Sequence, residues 1–164
     1  MPGVPLAYHI TFGTYGSRLH GDGRPTVDRL HNTPGEPFLP VDPRRAAAER
    51  ARMSFAIVEL TVEQRLVVES AVPQVCDRGG WTCHAVAAGP DHVHALVSAD
   101  TDPKVVRRLL KRWLSQALSE RWPMQPGRSW WADGGSTQWV WKPEYLQHAC
   151  EYIARQATVN LRSP

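Results

Sequence analysis

What the chain lacks narrows it first. Hydrophobic residues make up 42% of its 164 positions, yet no run approaches the roughly 18 consecutive apolar residues that a membrane-spanning helix needs. The opening Met-Pro-Gly-Val-Pro-Leu-Ala has neither the charged start nor the long apolar segment of a secretory leader, so a cytoplasmic protein with no membrane partner is the expectation. Cysteine is scarce. Cys76, Cys83 and Cys150 form no Cys-x-x-Cys pair, and an odd number argues against a disulfide framework or a zinc knuckle, so reduced, buried thiols are expected. No internal repeat and no second domain boundary is found, and residues 1–164 read as a single domain.

Charge is mildly basic, +3 net with a pI near 9.0, which permits a nucleic-acid partner without demanding one. Its distribution is more informative. Lys104, Arg107, Arg108, Lys111 and Arg112 crowd one short segment with no acidic residue before Glu120, and seven arginines, Arg18 first among them, fall between positions 18 and 52. Such a like-charge row is either an ordinary solvated helix face or a surface that an anionic ligand such as phosphate relieves. Tryptophan is abundant, with seven in the chain, and Trp130, Trp131, Trp139 and Trp141 lie close together. Tryptophans beside arginines suit base stacking and core filling about equally.

Residues 6–15 alternate, with Tyr8, Ile10, Phe12 and Thr14 on one face, and read as a first strand ended by Gly16. Residues 17–43 are rich in Gly, Pro, Asp and Asn and read as a long loop, either a DNA-contacting flap or an insertion with little work to do. A short basic helix over 43–52 and a short strand over 55–60 follow. Thr61-Val-Glu-Gln opens a helix to about Arg78, and Gly79-Gly80 stops it. Residues 81–88 and 92–98 form a hairpin about Gly89-Pro90-Asp91. Asp102 caps a helix from Pro103 to about Arg121, 123–135 is loop, 137–141 is the last strand, and Pro143 starts the last helix. The order is that of an α+β fold: an antiparallel sheet backed by two helices, with a third at the end.

Two motifs carry chemistry. In His92-Val93-His94 the period of a strand puts both imidazoles on one face about 7 Å apart, where they either bond within the fold or hold one metal ion with a third ligand from elsewhere. In Tyr152-Ile153-Ala154-Arg155-Gln156 helical spacing stacks Tyr152 and Gln156 on one face. A tyrosine beside a cation can serve as a covalent nucleophile, and the glutamine carbonyl could complete the metal site; a packed tyrosine above a solvated glutamine is the plain alternative.

Together these motifs resemble the two signatures of the single-tyrosine transposases of the HUH nuclease superfamily, with the REP-associated tyrosine transposases as the nearest relatives. The likeness extends to Tyr8-His9-Ile10-Thr11-Phe12-Gly13-Thr14-Tyr15-Gly16 and to the order of the elements. It implies a ferredoxin-like or RNA-recognition-like core with the nucleophile helix lying across the sheet. It further implies a metal-dependent single-stranded DNA endonuclease and strand transferase acting at hairpin-flanked sites through a 5′-phosphotyrosine. Tyr152 would be the nucleophile, and His92, His94 and Gln156 the ligands of Mg2+ or Mn2+. Hairpin and single-stranded DNA would be the partner, held by Arg18, Lys104, Arg107, Arg108, Lys111 and Arg112. Relatives work as homodimers or as monomers, and both stay open here. Two other readings stand beside it: a domesticated hairpin-DNA-binding protein, and a metal-dependent hydrolase using water, for which Asp91 and Asp100 flank the strand without forming a carboxylate pair.

Overall fold

Alternation in β1 (Ala7–Gly13) sets the architecture. Tyr8, Ile10 and Phe12 are buried on one side of it with Val93, Ala95 and Val97, whereas Ala7 packs in a separate cluster on the other. The computed structural model describes residues 3–17, 43–44, 47–48 and 55–158. After β1 come α1 (Val62–Gly79), β2 (Thr82–Ala88), β3 (His92–Ser98), α2 (Pro103–Arg121), β4 (Ser136–Val140) and α3 (Pro143–Gln156). All pairings are antiparallel and the sheet order is β2-β3-β1-β4, so β1 and β3 are central and β4 is an edge. This is the α+β, ferredoxin-like arrangement expected from the sequence.

Helices α1 and α2 cover the Ile10 face. Val106, Leu110, Leu114 and Leu118 recur every fourth residue and are fully buried, the stripe that makes α2 amphipathic. Each such side chain contributes about 1.5–3 kcal/mol by leaving water. The helix ends are fixed locally. Gln64 N–H donates to Thr61 Oγ1 (3.2 Å) while Thr61 N–H donates to Gln64 Oε1 (2.9 Å), a reciprocal cap for α1, and Lys104 N–H donates to the Asp102 carboxylate (2.8 Å) at the start of α2. α1 stops at Gly80, whose φ of 72° is the left-handed value a helix C-terminus favours.

Helix α3 lies on the opposite face, where Ile153 is buried with Ala7, Ala87, Leu96 and Val140. Its end is tied down by Glu69 of α1, whose carboxylate accepts from Ala88 N–H (3.1 Å) and Thr158 N–H (2.8 Å). Thr158 Oγ1 also donates to Ala88 O (3.0 Å).

Residues 55–60, expected as a strand, form none. β1 already has partners on both sides, so this segment has no ladder to join there. It is instead pinned by single bonds: Val58 N–H to Tyr15 O (3.0 Å), Thr14 Oγ1 to Val58 O (2.6 Å) and Leu60 N–H to Pro90 O (2.7 Å). In the expected 43–52 helix, positions 43, 44, 47 and 48 are helical; the rest, most of the 17–43 loop and Arg18 lie outside the described residues. The tryptophans divide between their two uses. Trp130 and Trp131 are core, with Trp131 edge-on to Phe12 at 5.0 Å and its Nε1–H donating to Lys111 O (3.1 Å). Trp139 and Trp141 are exposed. The three cysteines are free, Cys76 buried and the other two half-buried. Among the described residues no helix is long and apolar enough to cross a membrane.

Candidate active site

The register of β1 against β3 sets Thr11 opposite His94 and Gly13 opposite His92. Both histidines therefore emerge on the α3 face of β3, one of the two central strands of the sheet. The imidazoles lie side by side, with ring centroids 4.8 Å apart at 83°. Each has its Nδ1 held: that of His92 lies 2.7 Å from Asp91 Oδ1, and that of His94 lies 3.0 Å from both Thr11 Oγ1 and His9 Nε2. The hairpin turn helps to seat the first ring. Gly89 N–H donates to His92 O (2.8 Å), and a Cβ on Gly89 would fall 2.9 Å from His92 Cε1.

Helix α3 brings Tyr152 over His94 and His9, whereas His92 is not among the residues that line the cavity beside it. Ile153, fully buried in the small second core, anchors the turn and leaves its neighbour Tyr152 turned outward and 45% exposed. The Tyr152 ring stands 5.9 Å from that of His94 and 6.4 Å from that of His9. Beneath it is a cavity of about 510 Å³, within the range of small-molecule sites. His9, Thr11 and His94 form its floor; Ser136 and Gln138 of β4 wall one side, and His148 shares the α3 side with Tyr152. Burial pushes the His9 pKa below the ordinary histidine value, so this ring is neutral at pH 7.

Among the described residues no three His, Cys, Asp or Glu side chains converge closely enough to hold a metal ion. Two imidazoles with a third donor of another kind remain chemically suited to one. An Nδ1–H directed to a carboxylate or hydroxyl fixes the tautomer and puts the lone pair on Nε2, the outer-partner arrangement typical of metal-binding histidines. His92 with Asp91 and His94 with Thr11 fit that pattern. Gln156 is half-buried one turn beyond Tyr152 and is not among the residues lining the cavity.

The basic helix is not brought to this site. α2 covers the other side of the sheet, so Lys104, Arg107, Arg108, Lys111 and Arg112 stand away from the histidines. Nor are they one solvated row. Lys111 Nζ turns inward, donating to Ala132 O (2.8 Å) and Gly134 O and lying 5.8 Å from the Phe12 ring centroid, because those carbonyls would otherwise lack donors beside the core. Burial and the neighbouring Arg107 lower its pKa to about 8. Lys104, Arg108 and Arg112 are exposed, and Arg107 is half-buried.

His9, Thr11, Ser136, Gln138 and His148 were not among the sequence candidates. A signal for the first two existed: if Tyr8, Ile10 and Phe12 face the core, His9 and Thr11 must face away from it. Placing them beside His94 needs the knowledge that β1 pairs with β3. His148 stands one helical turn before Tyr152, a spacing visible in the sequence.

No protein-family model and no curated protein sequence matches the chain. Among solved structures it is similar to a candidate transposase from Deinococcus radiodurans R1, with 16% identity and a TM-score of 0.49 over 95% of this chain and 94% of that one. It is also similar to a REP-associated tyrosine transposase bound to a REP hairpin, with 11% identity and a TM-score of 0.48 over 94% of this chain and 68% of that one.

Proposed function

We propose that this chain is a metal-dependent nuclease and strand transferase for single-stranded DNA, acting beside hairpins through a covalent tyrosine intermediate. The observation that carries the reading is the half-exposed Tyr152 hydroxyphenyl group set over the His94 and His9 rings, with the His92 ring next to that of His94, at a cavity open to solvent. His92 and His94 would hold the ion through Nε2, with the amide oxygen of Gln156 as third donor; magnesium or manganese is the ion that the family resemblance implies. A divalent ion held there would supply positive charge where negative charge builds on the non-bridging phosphate oxygens.

The chain's own residues do the rest. With Nδ1 protonated, the two imidazoles would donate to Asp91 and Thr11 and keep the lone pair on Nε2. Ile153 fixes the turn of α3 that aims Tyr152 at the cavity. The Tyr152 oxygen gives up its proton and forms a bond to phosphorus in line with the departing 3′ oxygen. That P–O bond breaks, the 3′ oxygen is protonated, and the 5′ phosphate stays on Tyr152. Attack by another 3′ hydroxyl reverses the step, so rejoining needs no nucleotide cofactor.

The test is incubation of the protein with a labelled single-stranded hairpin and manganese, followed by boiling in detergent. A protein–DNA adduct that survives is expected from the wild type and not from Tyr152→Phe, while the variant still binds the hairpin. Nicking without an adduct would support the water-using hydrolase, and binding with neither would support a hairpin-binding module.

A further inference from the structure

Trp139 and Trp141 serve neither the core nor the cavity. They are 53% and 46% exposed, unlike Trp130 and Trp131 at 5% each. Both sit on the side of β4 away from Tyr152: Trp139 is paired with Tyr8 across the ladder and lies edge-on to it at 5.8 Å, and Trp141 lies 5.7 Å from Trp139 with its plane tilted by 44°. On the other side of the same strand, Ser136 and Gln138 line the cavity. β4 is an edge strand, so the two surfaces are separated only by its own width.

Cations of α2 reach the segment that leads into β4, where Asp133 is also within electrostatic reach of Lys111. Arg107 of α2 packs at Gly135, where an added Cβ would fall 2.8 Å from its Cδ, and Lys111 reaches Ala132 and Gly134. Arg107 and Lys111 thus lie along the chain leading into β4, and Lys104 stands one helical turn before Arg108 on the same helix. Lys104 and Arg108 are exposed, and no ion pair engages them among the described residues. Lys142 follows Trp141 directly, its Nζ 5.8 Å from the Tyr145 ring centroid, and Tyr145 is itself exposed. Exposed rings edged by unpaired cations suit a ligand with flat apolar faces on an anionic backbone, namely unpaired nucleotides. A second copy of this chain would bring the same positive charges against these.

We infer that the outer edge of β4 is a base-stacking track: single-stranded DNA leaving the Tyr152 cavity passes over β4, stacks bases on Trp139 and Trp141, and sets its phosphates toward Lys104, Arg108 and Lys142. It rests on the reading above that single-stranded DNA is the substrate.

The test uses the full chain and a single-stranded oligothymidylate, with binding followed by anisotropy and by tryptophan fluorescence. Each of Trp139→Ala and Trp141→Ala is expected to weaken binding by about fivefold to 150-fold, to raise the KM for cleavage in parallel, and to reduce the fluorescence quench. Trp139→Phe and Trp141→Phe should restore most of the affinity, which loss of a merely structural role would not explain. Unchanged affinity in the double alanine variant overturns the track, even if the wild type forms its tyrosine adduct and the nuclease reading stands. Loss of a dimer in that variant with unchanged affinity overturns it in favour of an interface between copies. Weakened binding in the variant, when the wild type makes no adduct, upholds the track and removes the nuclease reading. A wild type that does not bind the oligonucleotide overturns both.

Discussion

An imidazole partly withdrawn from water resists protonation, and half-buried His9 carries that cost in the folded state. Its pKa lies below the ordinary 6.5 because burial penalises the charged form. The folded state therefore binds fewer protons than the unfolded chain in the interval below 6.5, so the His9 contribution to stability is complete above that pH and is lost as pH falls toward the folded value. The urea midpoint of metal-free protein is expected to drop between about pH 7.5 and pH 5.5, and to drop less in His9→Gln, which stays neutral throughout. An equal slope in the variant would show that other groups carry the whole effect. His9 also shows what one sequence leaves hidden. Its face could be read from alternation, but its partner could not, because strand pairing is set by contacts between residues far apart in the chain. The faces of His92, His94 and Tyr152 were legible since each sits on an element whose period fixes its face; the cavity walls from β4 were not, as nothing local to Ser136 or Gln138 says which strand they flank.

Helix α3 is held differently from the other two helices. α1 and α2 share a large core, while α3 docks through one fully buried residue, Ile153, on a small cluster, with Glu69 fastening its far end. Ile153→Ala is expected to cost about 2–3 kcal/mol, toward the low end for such truncations because the cluster is small and near an edge where it can relax. The loss should be local: hydrogen exchange would show α3 amides losing protection while β1 and β3 keep theirs, and adduct yield should fall with α3. Protection lost evenly across the sheet would contradict this. Element ends were legible wherever a cap is chemical, as at Thr61, Gly80, Asp102 and Pro143. The 55–60 segment was misread because its apolar composition is a local signal, whereas β1, the strand whose end it reaches, is already paired on both sides. The five cations of α2 were misread in part for a similar reason: spacing puts Lys111 on the polar face, but the carbonyls of a loop some twenty residues later turn its ammonium inward.

At the scale of the molecule, the sheet separates two jobs. One face is closed by α1 and α2 and supplies most of the stability; the other keeps its histidines beside a cavity because α3 covers only part of it. β4 borders both sides, which lets one strand contribute Gln138 to the cavity and Trp139 to the outer edge. The central claim is that the phenol on the last helix is the nucleophile of the site beneath it. Peptide mapping by mass spectrometry of the protein recovered after incubation with the hairpin and manganese tests this most directly. A nucleotide phosphate attached to the peptide containing Tyr152, and absent when either His92 or His94 is changed to Ala, is the predicted result. Attachment at another residue, or cleaved DNA with Tyr152 unmodified throughout, would contradict it.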